Sequence, residues 1–421
     1  MFRTMKQLTL PTNKDLRHRI YFTLLVLLIF VVGVNVRVPG TTDYTRNLGF
    51  LEIINAMSGG ALRNFSIFAL GVMPYISASI IMQLLQMDII PYFSELKKEG
   101  PVGRQKITKI TRYMGIILAF LQGFAYAFMM IGNKATVIEY LYISLILTAG
   151  TAYLLWLGDQ VTQKGLGNGV SLIIMAGIII SLPGTLITVF NQFVQSGDYK
   201  GAVGPLLFTG FILIYFLITI GVIFVEEAFR RVKIQYANKT TVAYASNRSY
   251  MPIKINVAGV IPVIFASSLL AIPSTVAQFI KSEGAKTFIN NYLTYTKPVG
   301  FIIYVLLIYL FSYVYTFIQI RPDEFAKNLN ESGGYVPGVR PGKATEKYLS
   351  GILIRLTFVG GLFIAALASV PIIFSVITKL PTNATIGGTS LLIVVGVLLE
   401  TYKQLEGSLV SRNYKKGYTR R

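Results

Sequence analysis

The apolar residues of this 421-residue chain neither alternate nor recur in short amphipathic stripes; they fall in ten long runs separated by polar loops. The runs lie near residues 20–36, 71–90, 113–132, 137–157, 170–190, 204–225, 257–277, 299–318, 352–377 and 387–403. At about 1.5 Å per residue, a helix of roughly 20 residues crosses the ~30 Å hydrocarbon core of a bilayer. The pattern therefore predicts an all-α polytopic membrane protein with ten transmembrane helices. The first run, Ile20 to Val36, passes into a loop without a small-residue cleavage site, so it reads as a retained span rather than a secretory signal.

Two of the runs carry the same phrase. ALGVMPYISASIIM occupies 69–82 and VAGVIPVIFASSLL occupies 257–270, sharing Gly71/Gly259, Val72/Val260, Pro74/Pro262, Ile76/Ile264, Ala78/Ala266 and Ser79/Ser267 at an offset of 188 residues. A second pair, GVSLII (169–174) and GTSLLI (388–393), opens spans five and ten. Both pairs are five spans apart. Because five is odd, a copied half enters the membrane the opposite way up. The expected architecture is therefore two five-helix halves, 1–203 and 204–421, related by inverted pseudo-symmetry. Folds of this kind place their pathway where the halves meet, and Gly- and Pro-interrupted helices in corresponding positions point to it.

Composition narrows the chemistry. The chain is 53% hydrophobic and has no cysteine, which excludes disulfides, thiolate metal sites and cysteine nucleophiles; its one histidine, His18, sits in a basic N-terminal segment, so histidine-based metal or redox sites are not expected. A formal charge of +21 raises the question of nucleic acid, but most of it follows membrane topology. With the N-terminus inside, the cytoplasmic segments carry 29 Lys and Arg against 9 in the outer segments, so both termini are expected in the cytoplasm. Trp156 then falls at the cytoplasmic end of span four, where an indole suits the lipid–water boundary. Three cytoplasmic stretches, 94–106, 226–256 and 320–349, are longer than ordinary connections and basic enough to dock an anionic or acidic partner.

The paired phrases bring no catalytic groups. Val72 and Ile76, Val170 and Ile174, Ile264 and Ile393 are branched aliphatic residues, and the eighteen Asp and Glu residues lie in loops or near span ends, for example Glu139, Glu226 and Glu400. A proton relay or a midplane ion site has nothing to be built from. Ordinary helix packing accounts for such residues singly; at the junction of the halves they predict an apolar constriction that closes by dewetting. Upstream, SGGALRNFSIF (58–68) is too short and polar to span, with Gly59 and Gly60 freeing the backbone and Arg63, Asn64 and Ser66 costly against lipid. Two readings fit it: a re-entrant, plug-like helix facing a water-filled cavity, or a surface loop with an amphipathic turn.

Six stretches together, SGGALRNFSIFALGVMPYISASIIMQLL, KKEGPVGRQKITKITRY, GLGNGVSLIIMAGI, AGVIPVIFASS, GGYVPGVRPGKATEKYL and GGTSLLIVVGV, resemble the SecY family of protein-translocation channels. The resemblance runs in order from about Arg17 to Lys416. It implies a clamshell of two five-helix halves with an hourglass pore, and a lateral gate opening to lipid between spans two, three, seven and eight. It also implies a pore ring of Val72, Ile76, Val170, Ile174, Ile264 and Ile393, two of them valine where isoleucine is common. The plug would include Ser58, Gly59, Gly60, Ala61, Leu62, Arg63, Asn64 and Phe65. Arg340 in GVRPG, with Arg230, Arg231 and Lys233, would meet a motor ATPase or ribosome; the tip KTTVAYAS (239–246) lacks the adjacent arginines common in relatives.

Implied partners are SecE-like and SecG-like small membrane subunits, a SecA-like motor ATPase, ribosomes, signal-peptide-bearing preproteins and membrane lipids. The resemblance places the chain in the bacterial cytoplasmic membrane, with no cofactor, no metal and no catalytic residue. Two other classes compete on the residues alone. A secondary transporter of a small solute would need a buried polar or ionisable site, and an intramembrane enzyme would need convergent carboxylates, histidines or a metal.

Overall fold

The computed structural model describes residues 14–41, 55, 58–86, 90–131, 136–195, 202–236, 249–276, 283–293, 297–378 and 387–418. The loop tip 239–246 lies outside them. The helices, in order, are α1 (Lys14–Asn35), α2 (Met73–Leu85), α3 (Pro91–Lys98), α4 (Pro101–Ile131), α5 (Val137–Lys164), α6 (Gly169–Phe190) and α7 (Val203–Glu227), then α8 (Ile261–Val276), α9 (Glu283–Tyr292), α10 (Pro298–Gln319), α11 (Pro322–Glu331), α12 (Lys343–Thr378) and α13 (Gly387–Tyr418). Seven helical stretches among the described residues are long and apolar enough to cross a membrane. The apolar helices at Met73–Leu85 and Ile261–Leu270 are shorter, because each starts at the glycine–proline break of the repeated phrase. With α13 they supply the ten expected spans.

Where the structure departs from the apolar runs, it does so at polar ends that hydropathy does not register. The stretch 94–106 is a helical corner rather than a loop: α3 ends at Lys98, Gly100 turns the chain at φ +71°, and α4 starts at Pro101, well before its apolar run near 113. Proline fits here because the first turn of a helix has no use for its missing N–H. The stretches 226–256 and 320–349 combine into one small sheet, in which β1 (Phe229–Tyr236) pairs antiparallel with β2 (Ser249–Lys254) and with β3 (Gly334–Tyr335). Val232 and Ile253 bury their side chains beside Leu353 of α12, and Ile234 packs with Leu329 of α11 and Val336.

The chain divides into two compact units. The first comprises Met1–Thr209, Lys379–Ile386 and Ile393–Arg421; the second comprises Gly210–Thr378 and Gly387–Leu392. In the first, α2 and α5 both pack on α4. Small residues allow the approach: a side chain at Gly115 would press on the Tyr75 backbone at 3.2 Å, and Ser144 Oγ donates to Phe120 O across α4 and α5 at 2.8 Å. An ion pair between Arg112 and Asp159 ties the ends of α4 and α5 together. Thr136 and Glu139 form a capping box that starts α5, and Trp156 is half exposed with its ring stacked on Tyr153.

In the second unit α10 lies against both α8 and α12. Phe265 of α8 meets Phe311 and Tyr315 of α10 edge-on, and Gly361 of α12 leaves room for Tyr309 and Ser312. Glu226, the most buried carboxylate among the described residues, accepts a 2.7 Å hydrogen bond from Asn256 Nδ2, so it serves the root of the hairpin rather than the membrane interior.

Glycines at these crossings give a direct test. A Cβ at Gly150 would overlap the carbonyl of Ile67, whereas one at Gly221 meets nothing within 4 Å. Gly150→Val is expected to cost about 1–3 kcal/mol, as overpacking does, and to lower the thermal unfolding midpoint of the detergent-solubilised protein. Gly221→Ala should leave the midpoint unchanged or raise it slightly.

Candidate functional site: an apolar constriction and its plug

The two copies of the repeated phrase fold the same way at their starts. Gly71 and Gly259 both take positive φ, +56° and +61°, in the left-handed region that glycine enters without the Cβ penalty. The helix begins two residues later in each case, at Met73 and at Ile261, and a proline follows as its second residue. One turn in, Ile76 N–H donates to Val72 O at 3.1 Å and Ile264 N–H to Val260 O at 3.4 Å. Ile76 and Ile264 thus hold equivalent positions in their own helices, both half-buried, while Val72 is buried. Val260 stands where Val72 does, a match the gap-free repeat already carried although the family resemblance takes only Ile264 from this copy.

The break before α2 is held by a hydrogen bond from span four: Thr151 Oγ1 donates to Gly71 O at 3.1 Å, in a fully buried position. In a membrane such a carbonyl has no water to turn to, so this bond supports the interruption.

Span five is positioned just as firmly. The side-chain oxygen of Asn168 accepts from Val170 N–H and Ser171 N–H, at 3.1 and 3.3 Å, capping α6 at its first turn. Thr162 Oγ1 accepts from Gly169 N–H at 2.9 Å, and Gly169 lies so close to Gly158 that a side chain there would overlap its carbonyl. Val170 is half-buried beside Gly158, and Ile174, one turn on, is buried. Ile393 of α13 is buried too, after Leu391 and Leu392. Val72, Ile76, Val170, Ile174 and Ile393 belong to the first unit and Ile264 to the second.

Residues 58–65 form consecutive hydrogen-bonded turns, with α-helical geometry only at Asn55 just upstream among the described residues. Asn55 organises them. Its backbone oxygen accepts from Gly60 N–H and from Ser58 Oγ, at 2.8 and 3.0 Å, and its side-chain oxygen accepts from Arg63 N–H at 2.9 Å. Gly59 and Gly60 sit at φ +73° and +83°, and Gly59 lies against Gly177 of α6, where an added Cβ would come within 3.2 Å of the Gly177 Cα. Ser58, Ala61, Leu62 and Phe65 are buried; Arg63 and Asn64 are exposed.

The segment then returns along the chain just past α1. Val38 N–H donates to Phe65 O and Ile67 N–H to Val36 O, both at 3.0 Å. The Phe68 ring fills the space left by Gly33 and joins a stack running Phe30, Phe68, Tyr153, Trp156. Of the two readings of 58–68, a buried segment inside the protein fits this packing; a surface loop does not.

Of Arg230, Arg231, Lys233 and Arg340, the strand register brings Arg231 and Lys233 onto one exposed face of the hairpin, with Lys254 opposite Phe229. Arg231 lies over the Phe229 ring, 5.7 Å from its centroid. Arg230 alternates onto the face of Val232 and Ile234, so it does not join them. Arg340 is exposed in the turn before α12, where its carbonyl accepts from Thr345 Oγ1 at 2.9 Å; its neighbour Val339 packs with the hairpin cluster.

The structure is that of a multi-pass helical membrane protein with two matched glycine–proline breaks that carry aliphatic side chains, and comparison with known proteins places it in the class of protein-conducting channels. Solved structures agree at the level of fold. "The structure of a protein conducting channel" superposes with a TM-score of 0.65 at 19% identity over 94% of this chain and 93% of that one. The SecY structure described by its plug domain and closed state gives 0.63 at 20% identity, with the same coverages. The SecY family model matches residues 66–402. Among curated proteins, the translocase subunit SecY of Staphylococcus epidermidis is 47% identical, covering 96% of this chain and 97% of its own length. That of Bacillus subtilis is 46% identical, covering 95% and 96%. The chain belongs to the SecY family, whose members are protein-translocation channels and not enzymes.

The matched turns make a paired prediction. Gly71→Ala and Gly259→Ala each force a Cβ into the left-handed region and are expected to cost about 1–2 kcal/mol apiece, read as similar drops in unfolding midpoint. A midpoint unchanged in either variant would contradict the assigned turn.

Proposed function

We propose that the chain is a passive, gated pore for unfolded polypeptides, in which Val72, Ile76, Val170, Ile174, Ile264 and Ile393 form the constriction. The observation that carries the reading is the shared start of α2 and α8, with Ile76 and Ile264 each one turn past a positive-φ glycine. Aliphatic side chains suit a ring that must close around segments of varied sequence, since they exclude water and ions without binding any one residue strongly. The two halves are 1–203 and 204–421, and the segment from Ser58 to Phe65 with its continuation to Phe68 is the plug. It is held by a few backbone and side-chain hydrogen bonds and by one close glycine contact, Gly59 on Gly177, which an entering chain displaces. An apolar segment leaves sideways into lipid through a gate between spans two, three, seven and eight, where burial from water is worth about 25 cal/mol per Å².

The driving force comes from outside. With both termini cytoplasmic in a bacterial cytoplasmic membrane, as the lysine and arginine distribution supports, the three-stranded sheet and Arg340 form one cytoplasmic platform. Arg231, Lys233 and Arg340 meet a SecA-like motor or the ribosome, with Arg230 contributing from the other face of β1. Two structural neighbours are described as ribosome-bound, a canine Sec61 channel and a yeast Ssh1 complex, which supports this partner class. SecE-like and SecG-like subunits complete the assembly in the membrane, and signal-peptide-bearing preproteins are the substrates.

Photo-crosslinkers at Ile76 and Ile264 are expected to capture a stalled secretory chain. Failure at both, together with transport of a small solute by the purified protein, would favour the transporter reading instead. Arg340→Glu is expected to reduce motor-driven export several-fold without lowering the unfolding midpoint; normal export by this variant would remove Arg340 from the platform.

A further inference from the structure

The segment between spans seven and eight contains a helix that the pore does not use. In α9, EGAKTFINNY, Phe288 and Tyr292 are one turn apart on the same face, 59% and 48% exposed, with ring centroids 4.9 Å apart. Ile289, on the flank of that face, is half-buried, and Thr287 is exposed on another side of the helix. The helix packs against both α8 and α10, and only five residues separate Tyr292 from Pro298, where span eight begins. From there α10 carries its own exposed apolar stripe of Val299, Ile302 and Leu306 into the membrane.

Two exposed aromatic rings on a ten-residue helix need a cover, and the short tether limits what can supply it. Five residues, at no more than about 3.6 Å each, keep the end of α9 close to the point where span eight enters hydrocarbon. The residues between 281 and 297 include three lysines and one glutamate, a balance suited to lipid phosphates. Tyrosine with an apolar partner is the composition of the headgroup level, where a ring can be half in hydrocarbon and half in water.

From this we infer that α9 lies in the membrane–water interface, with Phe288 and Tyr292 inserted among the lipid headgroups next to the entry point of span eight. The occupant of its apolar face is the bilayer itself, through the lipid boundary that α10 continues. An amphipathic helix held this way lies in the plane of the membrane and anchors the start of span eight beside it. Assignment to the outer leaflet rests on the orientation proposed above; the interfacial depth does not.

The cysteine-free sequence makes the test clean, because a single introduced thiol carries the only label. Full-length protein bearing Phe288→Cys, Tyr292→Cys or Thr287→Cys is nitroxide-labelled, reconstituted in phosphatidylethanolamine–phosphatidylglycerol vesicles, and its accessibility to oxygen and to a water-soluble nickel chelate is measured. At 288 and 292 oxygen accessibility is expected to exceed chelate accessibility several-fold, with the order reversed at 287. Greater chelate than oxygen accessibility at both 288 and 292 would overturn the inference. So would low accessibility to both reagents at these positions, the signature of a protein cover. Labelling of Thr287→Cys by a membrane-impermeant maleimide reports the leaflet separately, so a wrong orientation and a wrong depth give different results.

Discussion

A helix inside a bilayer can be interrupted only where its freed backbone groups find partners within the protein, because hydrocarbon offers none. That constraint explains why the functional parts of this molecule sit where they do. The chain breaks at Gly71, and the carbonyl released there takes the Thr151 hydroxyl from a neighbouring span. The turns of 58–65 are answered by Asn55, by strand-like pairing with residues 36–38 and by close contact with Gly177. These two irregular stretches find their partners locally, so Val72 and Ile76 sit at a helix start with a defined geometry.

Glycine performs two separate tasks in this arrangement. At Gly71 and Gly259 it supplies a backbone conformation that other residues enter at a cost. At Gly33, Gly150, Gly158 and Gly177 it supplies space, letting residues 58–68 and the start of α6 approach other spans closely. Packing of this kind has little hydrophobic drive behind it in lipid and relies on close contact instead.

Much of this was legible beforehand, for identifiable reasons. Ten spans follow from apolar run length, and the matched turns follow from a phrase whose Gly and Pro recur without a gap. Packing glycines were not legible: Gly150 inside span four looks like any small residue in a membrane helix until Ile67, far away in sequence, is seen to rest on it. The three-stranded sheet was also hidden, because β3 is two residues long and pairs with a strand far earlier in the chain. The alternation in FRRVKIQY could have suggested β1, but its basic character drew attention to charge before pattern. Helix α9 escaped for the opposite reason, being too short and too polar for a span and unremarkable as a loop.

The central proposal is that Ile76 and Ile264, one from each copy of the repeated phrase, contribute to a single apolar ring. The most direct measurement puts cysteines at Ile76 and Ile264 of the cysteine-free chain and treats the membrane-embedded channel with a short bifunctional thiol reagent. The account predicts an intramolecular bridge between the two thiols and a block in polypeptide passage that is relieved when the bridge is cleaved. Separate modification of both cysteines with no bridge, and passage continuing unimpeded, would contradict it.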